Sequence, residues 1–307
     1  MTIELVNIDT ESWTKIEGFS SKGLRVKSWF ERICDKEVFL YKEPKIYKYS
    51  DNIFITKEIW TELIACKIGK FLGLDITEAI PACIDGNFGI LIKNFLERGS
   101  AGMPISELIE AKDFFTKINA SNQHNLLFIN MLLQQSKIDE TAWNKYLEML
   151  VFDTLIGNND RHDENWGFLY DRHKRIFKLS PIYDNASCLT SGETEERVNE
   201  LLSDSNKLIK YVKNSRPPNL YISSFDLKHY KHFEIIEYLL KNYAETKDVI
   251  SKMLKNDYLG YTEEVIHEIQ QLDVPNQYKL SDNRKKLIIK ILDLRKNILK
   301  GLINVHN

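Results

Sequence analysis

Apolar residues recur at helical spacing between residues 56 and 72, where Trp60, Leu63, Ile64, Ile68, Phe71 and Leu72 share one side of the chain. Gly73 supplies a stop just beyond them, and Pro81 prevents an early resumption. On either side lie two β-prone stretches, VFLYKE at 38–43 and FGILIKNF at 88–95. Beyond residue 100 the pattern turns mainly helical. Trp143, Leu147, Leu150, Val151 and Thr154 line one face of a helix predicted over 139–156, which Gly157-Asn158-Asn159 closes with turn chemistry. The segments GFLYD and RIFKLSPIYD return to strand, joined by a polar turn at 171–174. The polar stretch 190–206 predicts a loop, Pro217-Pro218 a break, and 229–243, 245–256, 262–271 and 281–303 four closing helices. These elements predict an α+β chain of two lobes, a β-rich N-lobe over 1–97 and a mainly helical C-lobe over 98–307, with a short link near 97–103.

The 307 residues are enough for a buried core in each lobe, and a net charge of −2 gives no global basic field for nucleic acid or an anionic membrane. The basic run Arg284-Lys285-Lys286 reads as a solvated helix face. The longest apolar run, 126–133, is interrupted by Asn130 and is too short to span a bilayer. MTIELVNIDTESW carries acids early and has no apolar centre of the secretory kind. The four cysteines stand far apart without CxxC spacing, as free or buried thiols do in a reducing cytosol. A cytoplasmic protein with no membrane and no direct nucleic-acid partner is the expectation.

The candidate chemistry lies in IGNNDRHDENWGFLYD and FKLSPIYDNAS. Phosphoryl transfer requires a carboxylate to receive the proton of the attacking hydroxyl, and oxygen ligands to hold magnesium against the phosphates. Asp160 and Asn165 stand five apart, the spacing of base and amide metal ligand in a kinase catalytic loop. Asp184 follows 19 residues after Asn165, beyond the strand pair, and is the second metal ligand. His162 reads as a brace for the loop, and Asp163 and Glu164 as solvated residues. Upstream, Lys42 on the first strand suits the α- and β-phosphates of ATP, and Glu62 on the helix suits the acid that orients it, with Glu58 one turn away as the second choice. The loop GFSSKG, about 19 residues before Lys42, offers Ser20, Ser21 and Lys22 to the phosphates, although Leu24 excludes a Walker A motif. A phosphate on Ser20 or Ser21 would repel nucleotide, so phosphorylation there would switch the enzyme off.

GNNDRHDENWGF with LSPIYDNASCL resembles the kinase core of the HipA-like serine/threonine kinases, the toxin halves of bacterial toxin–antitoxin pairs. It also shares D-R-H-x-x-N with the phosphatidylinositol kinases. The resemblance implies a protein-kinase-like fold, use of ATP and Mg2+, and an adenine-side hinge in the backbone of Lys93, Asn94 and Phe95. It implies a protein substrate such as a translation component, an antitoxin partner, and autophosphorylation in the GFSSKG loop. HipA proteins carry an extra subdomain ahead of the kinase core, and the position of Lys42 predicts a compact form without it. Two other readings stand beside this one, a kinase for a lipid headgroup or small molecule on a related fold, and an inactive nucleotide-binding module.

Overall fold

A computed structural model describes residues 2–17, 27–49, 52–96, 105–120, 124–225 and 228–305. Ser20, Ser21 and Lys22 lie outside the described residues, as does the whole of the expected link at 97–103. The chain divides into two compact units. The first gathers Met1–Asn94, Asn185–Lys207 and Tyr258–Ile291, and the second Phe95–Asp184, Leu208–Asp257 and Leu292–Asn307.

The first unit opens on strands β1 (Val6–Asn7), β2 (Trp13–Ile16), β3 (Lys27–Arg32), β4 (Val38–Lys42), β5 (Ile46–Tyr49) and β6 (Asn52–Ile55). Helix α1 (Glu58–Phe71) follows, then β7 (Ala79–Ile84) and β8 (Asn87–Lys93). Six of these strands form one sheet in the order β1-β7-β8-β4-β3-β2, while β5 and β6 make a separate hairpin. Among the described strands of this sheet only β1 with β7 pairs in parallel. Trp13, Phe30, Phe39, Tyr41, Ala82 and Leu91 form a core on this sheet, and α1 packs against β7 and β8. Helix α1 carries Glu58 in its first turn and Lys70 in its last, charges that complement its macrodipole. Its end is a Schellman motif. Gly73, at φ +75, donates its N–H to Lys70, and Leu74 donates to Gly69.

The second unit contains β9 (Ser106–Glu110), α2 (Ala111–Lys117), α3 (Leu126–Leu133), α4 (Ala142–Ile156), β10 (Gly167–Asp171) and β11 (Ile176–Leu179). β10 lies between β11 and β9. Helix α4 is buried along nearly its whole length, and Gly157 caps it in the left-handed region at φ 68. Only glycine fits there, because a Cβ would meet the Arg295 guanidinium at 2.6 Å.

The stretch 190–206 is a correction to the expected loop. It folds into α5 (Glu195–Ser203) and the start of α6 (Ser205–Asn214). Val198, Leu201, Leu208 and Val212 are buried, too sparse a stripe among polar neighbours to stand out in the sequence. The Thr194 hydroxyl caps α5 by accepting the Arg197 N–H. Helices α7 (His232–Asn242) and α8 (Glu245–Lys255) complete the second unit, α9 (Tyr258–Gln271) packs on α1 in the first, and α10 (Asp282–Val305) closes the chain.

Arg284, at the start of α10, is the second correction. It is fully buried rather than solvated, donating to the Glu195 carboxylate at 2.9 Å, the Thr190 carbonyl at 2.7 Å and the Glu193 carbonyl at 2.6 Å. Among the described residues no helix is long and apolar enough to cross a membrane, and all four cysteines are free thiols.

Candidate active site

The loop leaving α4 is built from hydrogen bonds that reach back into the helix. Asn158, fully buried, donates its side-chain amide to Asp153 Oδ1 at 3.0 Å and accepts the Asp160 N–H at 3.0 Å. The Asn165 amide nitrogen donates to the Asp160 carbonyl at 2.7 Å, which closes the loop on itself. That bond engages the nitrogen of the Asn165 amide rather than its oxygen. The Asp160 carboxylate is 46% exposed, so the acid faces outward while its main chain carries the loop.

His162 spans two acids. Its Nδ1 accepts the Glu164 N–H at 3.2 Å, and its Nε2 lies 3.9 Å from Asp160 Oδ1. Glu164 is also paired with Lys112.

Arg161 has no role in the sequence-based reading of the loop, yet it ties the loop together. It is buried, and its guanidinium grips Asp153 at 2.9 and 3.0 Å in a bidentate pair. The remaining nitrogen donates to the Asn165 carbonyl at 2.7 Å and also to the Tyr183 carbonyl. One side chain therefore fixes the residue proposed as the amide metal ligand and the residue next to Asp184. Burial lowers the Arg161 pKa, but the charges of Asp153 and Asp184 outweigh it and hold the group above its usual value. The signal was legible after the fact: Asp153 sits in MLVFDTLI, the one acid of an apolar stretch, which needs a buried cation.

Asp184 takes φ 55, a left-handed backbone. Such strain costs about 1–3 kcal/mol and collects where a side chain must be aimed. Leu189 at 46 and Thr190 at 65 repeat it within six residues, the last a β-branched residue for which it is an outlier.

In the first unit, Lys42 closes β4 and is 6% exposed, and Glu62 on α1 is 1% exposed. Cys66, one turn beyond Glu62, places its thiol 3.8 Å from the Glu62 carboxylate. Burial pushes this thiol up, Glu62 adds to the rise, and Lys42 opposes it, so both charges reach the same buried sulfur. Glu58 instead pairs with Lys45 at 3.3 Å. Lys93 ends β8, with its ammonium on Glu37 and its N–H on the Glu78 carbonyl. Asn94 donates to the Val38 carbonyl at 2.8 Å. In the second unit the Phe95 ring lies 5.6 Å from that of Tyr183.

His232 supports the loop from α7, donating from Nε2 to the Asn158 carbonyl at 2.8 Å. Burial, helped by Arg295, lowers its pKa to about 3 from an ordinary 6.5. The folded protein thus resists a proton that the unfolded chain accepts. The contribution of this group is complete well above pH 6.5 and is lost progressively as pH falls through that value toward 3. Between pH 6.5 and about 5 this group alone withdraws about 2 kcal/mol. His232→Gln, which keeps the donor, is expected to flatten that acid slope by a similar amount in urea titrations, and an unchanged slope would discharge His232 from the role.

The family of HipA-like C-terminal domains matches residues 19–256. The serine/threonine-protein kinase CtkA of Helicobacter pylori is 24% identical over 266 residues, covering 86% of this chain and 77% of CtkA. The crystal structure of that proinflammatory kinase superposes with a TM-score of 0.79 at 19% identity, over 98% of this chain and 97% of CtkA. HipA of Shewanella oneidensis, solved with HipB and operator DNA, gives 0.53 at 14% identity, over 97% of this chain and 67% of that one. The chain has the fold of CtkA and belongs to the HipA-like C-terminal domain family.

Proposed function

We propose that this protein is an ATP- and magnesium-dependent serine/threonine protein kinase of HipA-like type, with Asp160 as catalytic base and Asn165 and Asp184 as metal ligands. The observation that carries the reading is Arg161, whose single guanidinium holds both the Asn165 carbonyl and the Tyr183 carbonyl. A purely structural turn has no need to join those two positions.

The residues fit the groups proposed. The Asn165 oxygen and the Asp184 carboxylate are hard donors of the kind magnesium takes. A lysine buried to the degree of Lys42 suits an anionic ligand such as the α- and β-phosphates, with Glu62 to orient it. Bound Mg-ATP supplies the transferable phosphoryl group and neutralises its charge. The Asp160 carboxylate orients the substrate hydroxyl and takes up its proton.

The name of CtkA supports a serine or threonine acceptor. The HipA complex with HipB supports an antitoxin partner and a role as the toxin of such a pair. A translation component as substrate, a cytoplasmic location, the hinge at Lys93–Phe95 and autophosphorylation at Ser20 or Ser21 belong to the same proposal.

Two measurements test it. Labelled ATP and magnesium, added with and without a bacterial lysate, should label a protein band on serine or threonine; label confined to lipid or small molecules would replace the acceptor class. In calorimetry, Asp184→Ala should abolish the tightening of ATP binding by magnesium, and unmeasurable nucleotide affinity in the wild type would sink the reading.

A further inference from the structure

We infer that Asn185 is a positioning residue, which fixes the backbone at Asp184 by seating it on the Glu62 carboxylate. The inference deepens the kinase reading and rests on it. Asn185 is fully buried, and two of its donors converge on one oxygen. Its N–H meets Glu62 Oε1 at 2.9 Å and its side-chain amide meets the same atom at 3.4 Å. The amide also lies against the Cys66 thiol, lowering its pKa against the larger effect of burial.

The neighbouring residues are gripped by the same helix. Thr61 Oγ1 donates to the Ala186 carbonyl at 2.7 Å, and the Cys188 thiol donates to the Thr61 carbonyl at 3.8 Å. Helix α1 thus holds 185, 186 and 188 in sequence, directly after a residue at φ 55. A left-handed aspartate relaxes unless the residues beside it are fixed. Tyr183 is fixed on one side by Arg161, and Asn185 on the other by Glu62. Glu62 consequently has two tasks, orienting the ATP lysine and setting the angle at which the metal-binding carboxylate leaves the chain.

The test reads the metal directly. Mn2+ binding is titrated by electron paramagnetic resonance, with a non-hydrolysable ATP analogue at saturation, in wild type, Asn185→Asp and Asn185→Ser. Replacing the donor by a second carboxylate against Glu62 should weaken Mn2+ by about tenfold or more, the usual cost of losing a partner behind a metal ligand. Asn185→Ser keeps one side-chain donor in the same space and should weaken Mn2+ by only about threefold. Should Asn185→Asp not fold, Asn185→Ser alone carries the test. Affinity within twofold of wild type in the folded variant overturns the inference, as does a loss in Asn185→Ser as large as that in Asn185→Asp. A wild type that binds no Mn2+ with nucleotide overturns the kinase reading, and the inference with it.

Discussion

Asp160→Asn is expected to lower phosphoryl transfer by about 10²–10⁴-fold, the usual worth of a positioned base, while the fold stays intact. The expectation divides along the atoms of the residue. The loop is held by the main chain of Asp160, whose N–H goes to Asn158 and whose carbonyl takes the Asn165 amide and the His162 N–H. The carboxylate is 46% exposed, and an amide of the same shape disturbs none of those bonds. Stability should therefore move by no more than about 0.5 kcal/mol, as at other exposed positions. Phosphate incorporation and thermal melting, run on the same preparations, check both halves. Turnover equal to wild type would remove Asp160 from the chemistry, and a melting loss of many degrees would make it a structural acid.

Asp153→Ala should have the largest effect on stability. Asp153 accepts two hydrogen bonds from Arg161 and one from Asn158, with both ion-pair partners at most 2% exposed. Removing the acid strands a guanidinium that cannot lose its proton. The cost of breaking such a pair is about 3–5 kcal/mol, measurable as a shift of the urea midpoint at unchanged slope. The pair itself is weak evidence of net stabilisation. Asp153→Leu combined with Arg161→Met should thus recover much of the loss in stability while leaving activity low, because the bonds from Arg161 to Asn165 and Tyr183 are gone. A change below about 1 kcal/mol in Asp153→Ala would contradict the burial of the pair.

The long periodic elements were legible in the sequence because their apolar positions repeat. The helix expected over 56–72 is α1, and that expected over 139–156 is α4. The strands at VFLYKE and FGILIKNF are β4 and β8. Short elements such as β1, with two residues, and α2, with seven, carry too few turns of pattern to register. The same holds for α5 and α6, where each helix buries only two side chains.

At the site, the spacing of acids and amides along one loop identified Asp160, Asn165 and Asp184 as candidates, since local chemistry imposes local spacing. Asp153 and Arg161, eight residues apart, escaped because they meet only once the chain has turned at Gly157, and Asn185 and His232 because their partners are distant in the chain. Asn185 meets a helix 123 residues earlier in the chain, and His232 meets a loop 74 residues away. The solvated reading of Arg284 failed for the same reason, since its partners lie 89 to 94 positions upstream.

The Arg284 cluster has an evolutionary asymmetry built into it. Two of its acceptors, the carbonyls of Thr190 and Glu193, are main-chain atoms that no point mutation can delete. Its carboxylate partner Glu195 is 43% exposed, so water can replace it. Over generations the two ends of this ion pair should drift at unequal rates. Position 195 can pass through Gln or Asp with the guanidinium still seated, whereas a change at 284 empties a buried socket lined with carbonyl oxygens. A lineage that loses the arginine is then under pressure to revert, while one that loses the glutamate is free to wander.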